Sequence, residues 1–179
     1  TYGTQGELKK GETYTVHELF YPLLLESSND AAEALAMTKD RTSFISDMNG
    51  KAKSIGLLNT AYEDASGLSP HNTSTVTDLF RLTQYISRYR NYILEISTEK
   101  KIELGKKTWF SNSRFRSDKS YVGGKNGYTD EALKTQVVLF DEDFGGEKRT
   151  IAYIVLRSTD VAYDIKMLRD YVHKNVEYK

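Results

Sequence analysis

Apolar positions recur at helical spacing through the first half of the chain and as short β-rich runs through the second. Residues 1–14 are polar, with Gly3, Gly6 and Gly11 as turn signals. Thr15-Val16-His17-Glu18 has the form of a capping box, a hydroxyl followed three positions later by a carboxylate. It opens an apolar segment from Leu19 to Leu25, which the polar run Glu26-Ser27-Ser28-Asn29 interrupts. An Ala-rich stretch from Asp30 to Met37 follows at once, so the pattern predicts two helices joined by a tight polar elbow. Asp40 is placed to cap a third helix that runs to about Ile55 and ends at Gly56. Asn59 to Pro70 reads as loop or short strand, and Thr75-Val76-Thr77-Asp78 has the form of another capping box. Behind it Val76, Leu79, Phe80, Tyr85, Ile86, Tyr89, Ile93 and Leu94 recur at three- and four-residue steps, the period of a buried helix face.

The pattern changes after residue 97. Lys100 to Leu104 reads as a strand, Ser111 to Ser120 as polar loop, and Tyr121–Thr129 as a further strand. Gln136 to Phe140 and Ile151 to Leu156 are short apolar runs joined by the turn-rich stretch Asp141 to Thr150, which predicts an antiparallel hairpin. Asp160 then caps a final helix with Val161, Ile165, Leu168, Val172 and Val176 on one face. Helices first, then strands, then one closing helix describe an α+β domain. No linker divides it, so the expectation is a single domain over 1–179, with a helical lobe over about 15–96 and a sheet with its closing helix over about 97–179.

Composition narrows the function. Hydrophobic residues make up 39% and charged residues 28% of the 179, the balance of a globular protein. Lys plus Arg and Asp plus Glu number 25 each, and a net charge of zero argues against a nucleic-acid surface. The absence of cysteine removes disulfides, thiol nucleophiles and Cys-ligated metals. His17, His71 and His173 suggest no metal site, and His17 and His173 are expected on exposed helix faces. No apolar run approaches the roughly 20 residues of a membrane helix. The chain opens at Thr1 without an initiator Met or signal peptide, so its start is expected to reflect processing, proteolysis or design.

Two short motifs carry candidate chemistry. One is Ser27-Ser28-Asn29 at the elbow, a Ser-x-Asn; the other is Lys125-Asn126-Gly127, followed by Tyr128-Thr129-Asp130-Glu131-Ala132. Each has a plain structural alternative. Ser and Asn at a helix start are common caps, and Asn-Gly is the favoured dipeptide of a type I′ hairpin turn.

The flanks speak for chemistry. Leu23-Leu24-Leu25-Glu26-Ser27-Ser28-Asn29-Asp30-Ala31-Ala32 resembles the Ser-Gly-Asn-Asp-Ala segment of the D-alanyl-D-alanine carboxypeptidases of the peptidase S11 family, within the penicillin-binding protein and serine β-lactamase superfamily. Gly123-Gly124-Lys125-Asn126-Gly127-Tyr128-Thr129-Asp130-Glu131-Ala132 resembles that family's Lys-Thr-Gly-Tyr-Thr-Asp-Glu-Ala strand and loop. Between them Met48-Asn49-Gly50-Lys51-Ala52, Gly56-Leu57-Leu58-Asn59-Thr60, Ser66-Gly67-Leu68 and Ser74-Thr75 are similar to its connecting segments in the same order.

The resemblance implies a penicillin-binding protein/β-lactamase-like fold, a helical lobe packed on an antiparallel sheet with the active site between. It also implies removal of the terminal D-Ala from peptidoglycan stem peptides through an acyl-enzyme, inhibition by β-lactams, no cofactor, and a place outside the cytoplasm. Ser27 would relay a proton to the leaving amine, and Asn29 would grip a peptide amide. Lys125 would face a substrate carboxylate, beside Asn126, Gly127 and a hydroxyl from Thr129. Gly127 would clear space for the substrate backbone.

Two departures stand out. Asn126 occupies a position where the family usually has Thr. The nucleophilic Ser-x-x-Lys, which in the family precedes the Ser-x-Asn, is expected to lie before Thr1. The only literal match, Ser97-Thr98-Glu99-Lys100, lies between the other motifs at a helix-to-strand transition and is read as a decoy. A companion segment or second chain is therefore expected, and without it apolar surface on the sheet and final helix would be left open. Other readings are a non-catalytic wall-binding or scaffolding protein of the same fold, a β-lactamase (disfavoured because no Glu-x-x-Leu-Asn lies between the motifs), and an unrelated helical interaction domain.

Overall fold

The computed structural model describes Gly6 and residues 8–177. Helix α1 (Val16–Tyr21) begins at the predicted capping box: Thr15 Oγ1 accepts from the Glu18 amide at 3.2 Å, and Glu18 accepts from the Thr15 amide at 2.6 Å. The apolar run does not continue as α-helix. Pro22 has no amide to donate, and the chain widens into a π-helical turn over Pro22–Glu26. That turn closes on Ser27, whose φ of 61° is left-handed, and helix α2 (Asn29–Ala36) starts two residues later. Helix α3 (Arg41–Ser54) is capped by Asp40 and ends at Gly56, where φ is +82°.

The helical face predicted from Val76 to Leu94 is broken into α4 (Val76–Tyr89) and α5 (Tyr92–Thr98) at Arg90. Val76, Phe80 and Tyr89 are exposed, whereas Leu79, Ile86 and Ile93 turn inward and Leu94 is buried. The second capping box is half formed. Thr75 Oγ1 accepts from the Asp78 amide, but the Asp78 carboxylate, 0% exposed, accepts from Asn59 N at 2.7 Å and Thr60 Oγ1 at 2.9 Å. It ties the loop before α4 to the helix.

Strands β1 (Lys101–Leu104) and β2 (Lys107–Phe110) form a small antiparallel hairpin, of which only the first strand was legible in the pattern. Strands β3 (Tyr121–Thr129), β4 (Leu133–Phe144) and β5 (Glu147–Ser158) form an antiparallel sheet in that order. The stretch Asp141 to Thr150, expected as a connection, mostly extends both strands; Asp141 pairs with Thr150, and the chain reverses at Gly145-Gly146 with positive φ.

Helix α6 (Val161–Asn175), capped by Asp160, covers one face of the sheet. Val161 and Ile165 pack there with Val138, Phe140 and Tyr153, and Val172 joins them at the margin. Leu168 is more exposed than its predicted place on that face allows, and Val176 lies past the helix end. Leu139 is also buried, on the opposite face of β4 from Val138 and Phe140, so the sheet is covered on both sides.

Candidate active site

The elbow and β3 meet across the fold. Lys125 Nζ donates to Ser27 Oγ at 2.6 Å, joining residues 98 positions apart, and also to its neighbour's carbonyl, Asn126 O, at 2.7 Å. Capping is the work of the residue between the motif's named ones. Ser28 is buried, and its Oγ accepts from the Ala31 amide at 3.2 Å. With Ser28 as cap, Asn29 becomes the first residue of α2, and Ser27 is left in a left-handed conformation with its hydroxyl against the lysine. The N-cap of α2 therefore falls on Ser28, while Ser27 closes the preceding π-turn.

The turn alternative for Lys125-Asn126-Gly127 fails as well. All three lie mid-strand, paired with Val137, Gln136 and Thr135 of β4. The reversal comes later, between Thr129 and Leu133, where Thr129 Oγ1 accepts from the Ala132 amide at 3.0 Å. Thr129 thus has a turn-forming bond in this structure.

Burial of the ammonium pushes the Lys125 pKa down to about 8, so near neutral pH it remains mostly a cation. Beside it lies a cavity of about 670 Å³ between the helical lobe and the sheet. Lys125, Asn126, Gly127 and Thr135 contribute its polar side, and Leu79, Leu82, Ile86, Ile93, Val137 and Leu139 its apolar side. Ser27, Asn29 and Thr129 do not line this cavity; Ser27 reaches its rim through Lys125.

The elbow is braced from outside. Glu26 accepts from Phe110 N at 2.9 Å and Gly6 N at 2.7 Å, and Leu25 O accepts from Asn112 N at 2.9 Å. The β1–β2 hairpin therefore supports the π-turn that presents Ser27. Periodicity missed two further groups. Gln136, buried on β4, donates through Nε2 to Lys125 O at 3.3 Å. Ser97, 4% exposed, accepts at Oγ from Gly124 N at 3.1 Å. The doublet Gly123-Gly124 was the available signal, since glycine pairs in strands mark close approach. Ser97, the serine of the chain's literal Ser-x-x-Lys, also lines the cavity, with its hydroxyl engaged by Leu94 O and Gly124 N.

Comparison with known proteins gives this geometry its context. The D-alanyl-D-alanine carboxypeptidase family, peptidase S11, matches residues 3–155. The chain belongs to peptidase S11. Among curated S11-like relatives, a D-alanyl-D-alanine endopeptidase of Haemophilus influenzae is 31% identical over 90% of this chain and 57% of its own length. The D-alanyl-D-alanine carboxypeptidase DacF of Bacillus subtilis is 32% identical over 88% of this chain and 42% of its own. The chain thus spans about half the length of these relatives.

Among solved structures, penicillin-binding protein D2 of Listeria monocytogenes in its ampicillin-bound form superposes with a TM-score of 0.80 at 29% identity, covering 95% of this chain and 72% of that one. A D-alanyl-D-alanine carboxypeptidase of Mycobacterium tuberculosis gives 0.81 at 25% identity, covering 98% and 70%. The fold of this S11 chain is accordingly the penicillin-binding type, α+β with an antiparallel sheet. Among the described residues no cluster of three or more acidic or histidine side chains is placed to hold a metal, and no helix is long and apolar enough to cross a membrane.

Proposed function

We propose that this chain provides the substrate-gripping and proton-relaying half of a serine-type D-Ala-D-Ala carboxypeptidase acting on peptidoglycan stem peptides outside the cytoplasm. The observation that carries the reading is the 2.6 Å contact from Lys125 Nζ to Ser27 Oγ. Because Lys125 donates in that bond, the proton of Ser27 is free to be given to something else. In the proposed reaction a serine supplied by a companion segment attacks the carbonyl carbon of the penultimate D-Ala while the lysine of the same Ser-x-x-Lys takes its proton, and the C–N bond to the terminal D-Ala breaks. Ser27 protonates the departing amine nitrogen, with Lys125 as the adjoining proton donor, and water later hydrolyses the acyl-enzyme. Lys125 and Asn126 bind the terminal carboxylate, Asn29 holds the peptide amide, Gly127 admits the substrate backbone, and Thr129 stands at the carboxylate end of the strand. The same site would accept β-lactams, which present a carboxylate and a strained amide.

The Ser-x-x-Lys is assigned to a companion segment or second chain because the chain's own match has its serine buried. Two surfaces support a companion. One is the largely apolar cavity beside Lys125. The other is the stripe Tyr163, Met167 and Tyr171 on the outer face of α6, spaced four residues apart and exposed.

Labelling with a fluorescent penicillin, followed by denaturing mass spectrometry, tests the reading. A labelled polypeptide containing Ser-x-x-Lys is expected, with labelling reduced about a hundredfold in Lys125→Ala. A single unlabelled species of 20.4 kDa that still binds stem peptide would instead support the non-catalytic, wall-binding reading.

A further inference from the structure

The outer edge of β3 is held at one point by a side chain from the helical lobe. Ser97, in the last turn of α5, donates from Oγ to Leu94 O at 2.7 Å and accepts there from Gly124 N at 3.1 Å. Its backbone carbonyl accepts from Tyr121 Oη at 3.3 Å, so both ends of this strand segment are tied to one residue. The approach is as close as backbone permits. A Cβ at Gly123, where φ is +138°, would lie 2.7 Å from Ser97 Oγ, and one at Gly124 would lie 2.4 Å from Val137 O.

The position matters because β3 is irregular just there. Its pairing with β4 slips between Tyr121 and Gly123. Side chains alternate along a strand, so a slip of one residue carries every later side chain to the opposite face. Beyond the slip, β4 constrains β3 from one side only, and the first anchor on the other side is the Ser97 hydroxyl. The next residue is Lys125.

We propose that Ser97 is a positioning residue for Lys125: its hydroxyl, through the Gly124 amide, fixes the phase and depth of β3 that put the ammonium against Ser27. The Ser-x-x-Lys motif of this chain then has a use, though not a nucleophilic one. Its serine holds the strand that carries the functional lysine. This rests on the reading of Lys125 as a site residue.

The test reads the lysine directly and needs no turnover. Lysine side chains are isotopically labelled and each is titrated by NMR in the wild-type chain and in Ser97→Ala, with Ser158→Ala as a matched loss of a buried hydroxyl on the far edge of the sheet. In the wild type Lys125 is expected to titrate near 8, and in Ser97→Ala to move up towards the ordinary lysine value of 10.5 as its ammonium leaves the buried position. Ser158→Ala should leave it in place. Where the alanine variant does not fold, Ser97→Cys, with similar volume and a weaker acceptor, is expected to give an intermediate midpoint.

An unchanged midpoint in either folded Ser97 variant overturns the positioning role, as does an equal movement in Ser158→Ala. An ordinary midpoint in the wild type overturns the reading of the site itself, which separates the two failures. In the complete enzyme the same substitution should lower the rate of acylation by penicillin about ten- to a hundredfold.

Discussion

Lys125 keeps its charge where water reaches it poorly, and that sets two pH dependences. Its folded pKa, about 8, lies below the ordinary 10.5. Between those values the unfolded chain holds a proton that the folded chain has released, so this group's contribution to stability rises with pH there, while below 8 its penalty is full. On the proposed function, ligand binding would run the other way, because a neutral amine no longer attracts a carboxylate. Affinity for a D-Ala-D-Ala peptide, followed by calorimetry, is expected to fall as pH rises through about 8, and Lys125→Met should remove that dependence. Asp78 is a residue of the opposite kind, a buried carboxylate with structural duties. Asp78→Ala leaves Asn59 N and Thr60 Oγ1 without their acceptor and Arg81 without its 3.3 Å partner. Urea unfolding should report a loss of about 3 kcal/mol.

At the scale of elements, the site depends on two departures from regular structure. The helical run widens into a π-turn at Pro22–Glu26 and stops at a left-handed Ser27, and β3 slips its register before Gly123. Both are supported by caps and close contacts rather than by intrinsic preference. Ser28→Ala removes the hydroxyl that starts α2 and is expected to cost about 1–2 kcal/mol in thermal or chemical unfolding. Gly124→Ala is expected to cost more, about 3 kcal/mol or above, because the new methyl meets strand backbone that cannot swing aside. Elements also limit what a sequence shows. The caps at Thr15, Asp40 and Asp160 were legible because each needs only the next turn of chain. The break at Arg90 and the strand β2 were not legible, since a 3.6-residue pattern runs through the first and the second has only four residues.

Across the whole molecule, α6 is locked to the sheet by one buried acid. Glu142, 3% exposed, accepts from Arg169 Nε at 2.8 Å and Tyr153 Oη at 3.0 Å, with His173 Nε2 at 2.8 Å. His173, expected on an exposed helix face, is exposed there and also closes this network. Burial alone would raise the Glu142 pKa, but the hydrogen bonds from Arg169 and Tyr153 and the guanidinium charge outweigh it and hold the pKa below 4.5. The group's stabilisation is present above its unfolded value and is lost as pH falls through the lower folded one. Glu142→Gln should cost about 3 kcal/mol at neutral pH and flatten the acid side of the stability curve, measured by urea unfolding across pH. This network lies on the face of the sheet opposite the helical lobe, so the stem-peptide binding proposed for Lys125 should survive the substitution in folded protein.

The amino-acid sequence by itself determined most of the order of helices and strands and the caps at Thr15, Asp40 and Asp160, and it supplied the candidate site residues Ser27, Asn29, Lys125, Asn126, Gly127 and Thr129. The order and the caps are written within a turn or a strand, where hydrophobic period and hydroxyl or carboxylate spacing act directly, whereas the candidate site residues came from the resemblance of their flanking segments to peptidase S11. Tertiary structure alone decided which serine caps and which meets the lysine. It also bound the Glu26 carboxylate to β2, made Gln136 a partner of Lys125 O, and turned Ser97 from a motif into a brace. Each of those outcomes joins positions on different elements. Their geometry exists only once close packing brings the elements together, and no local pattern encodes the distance between them.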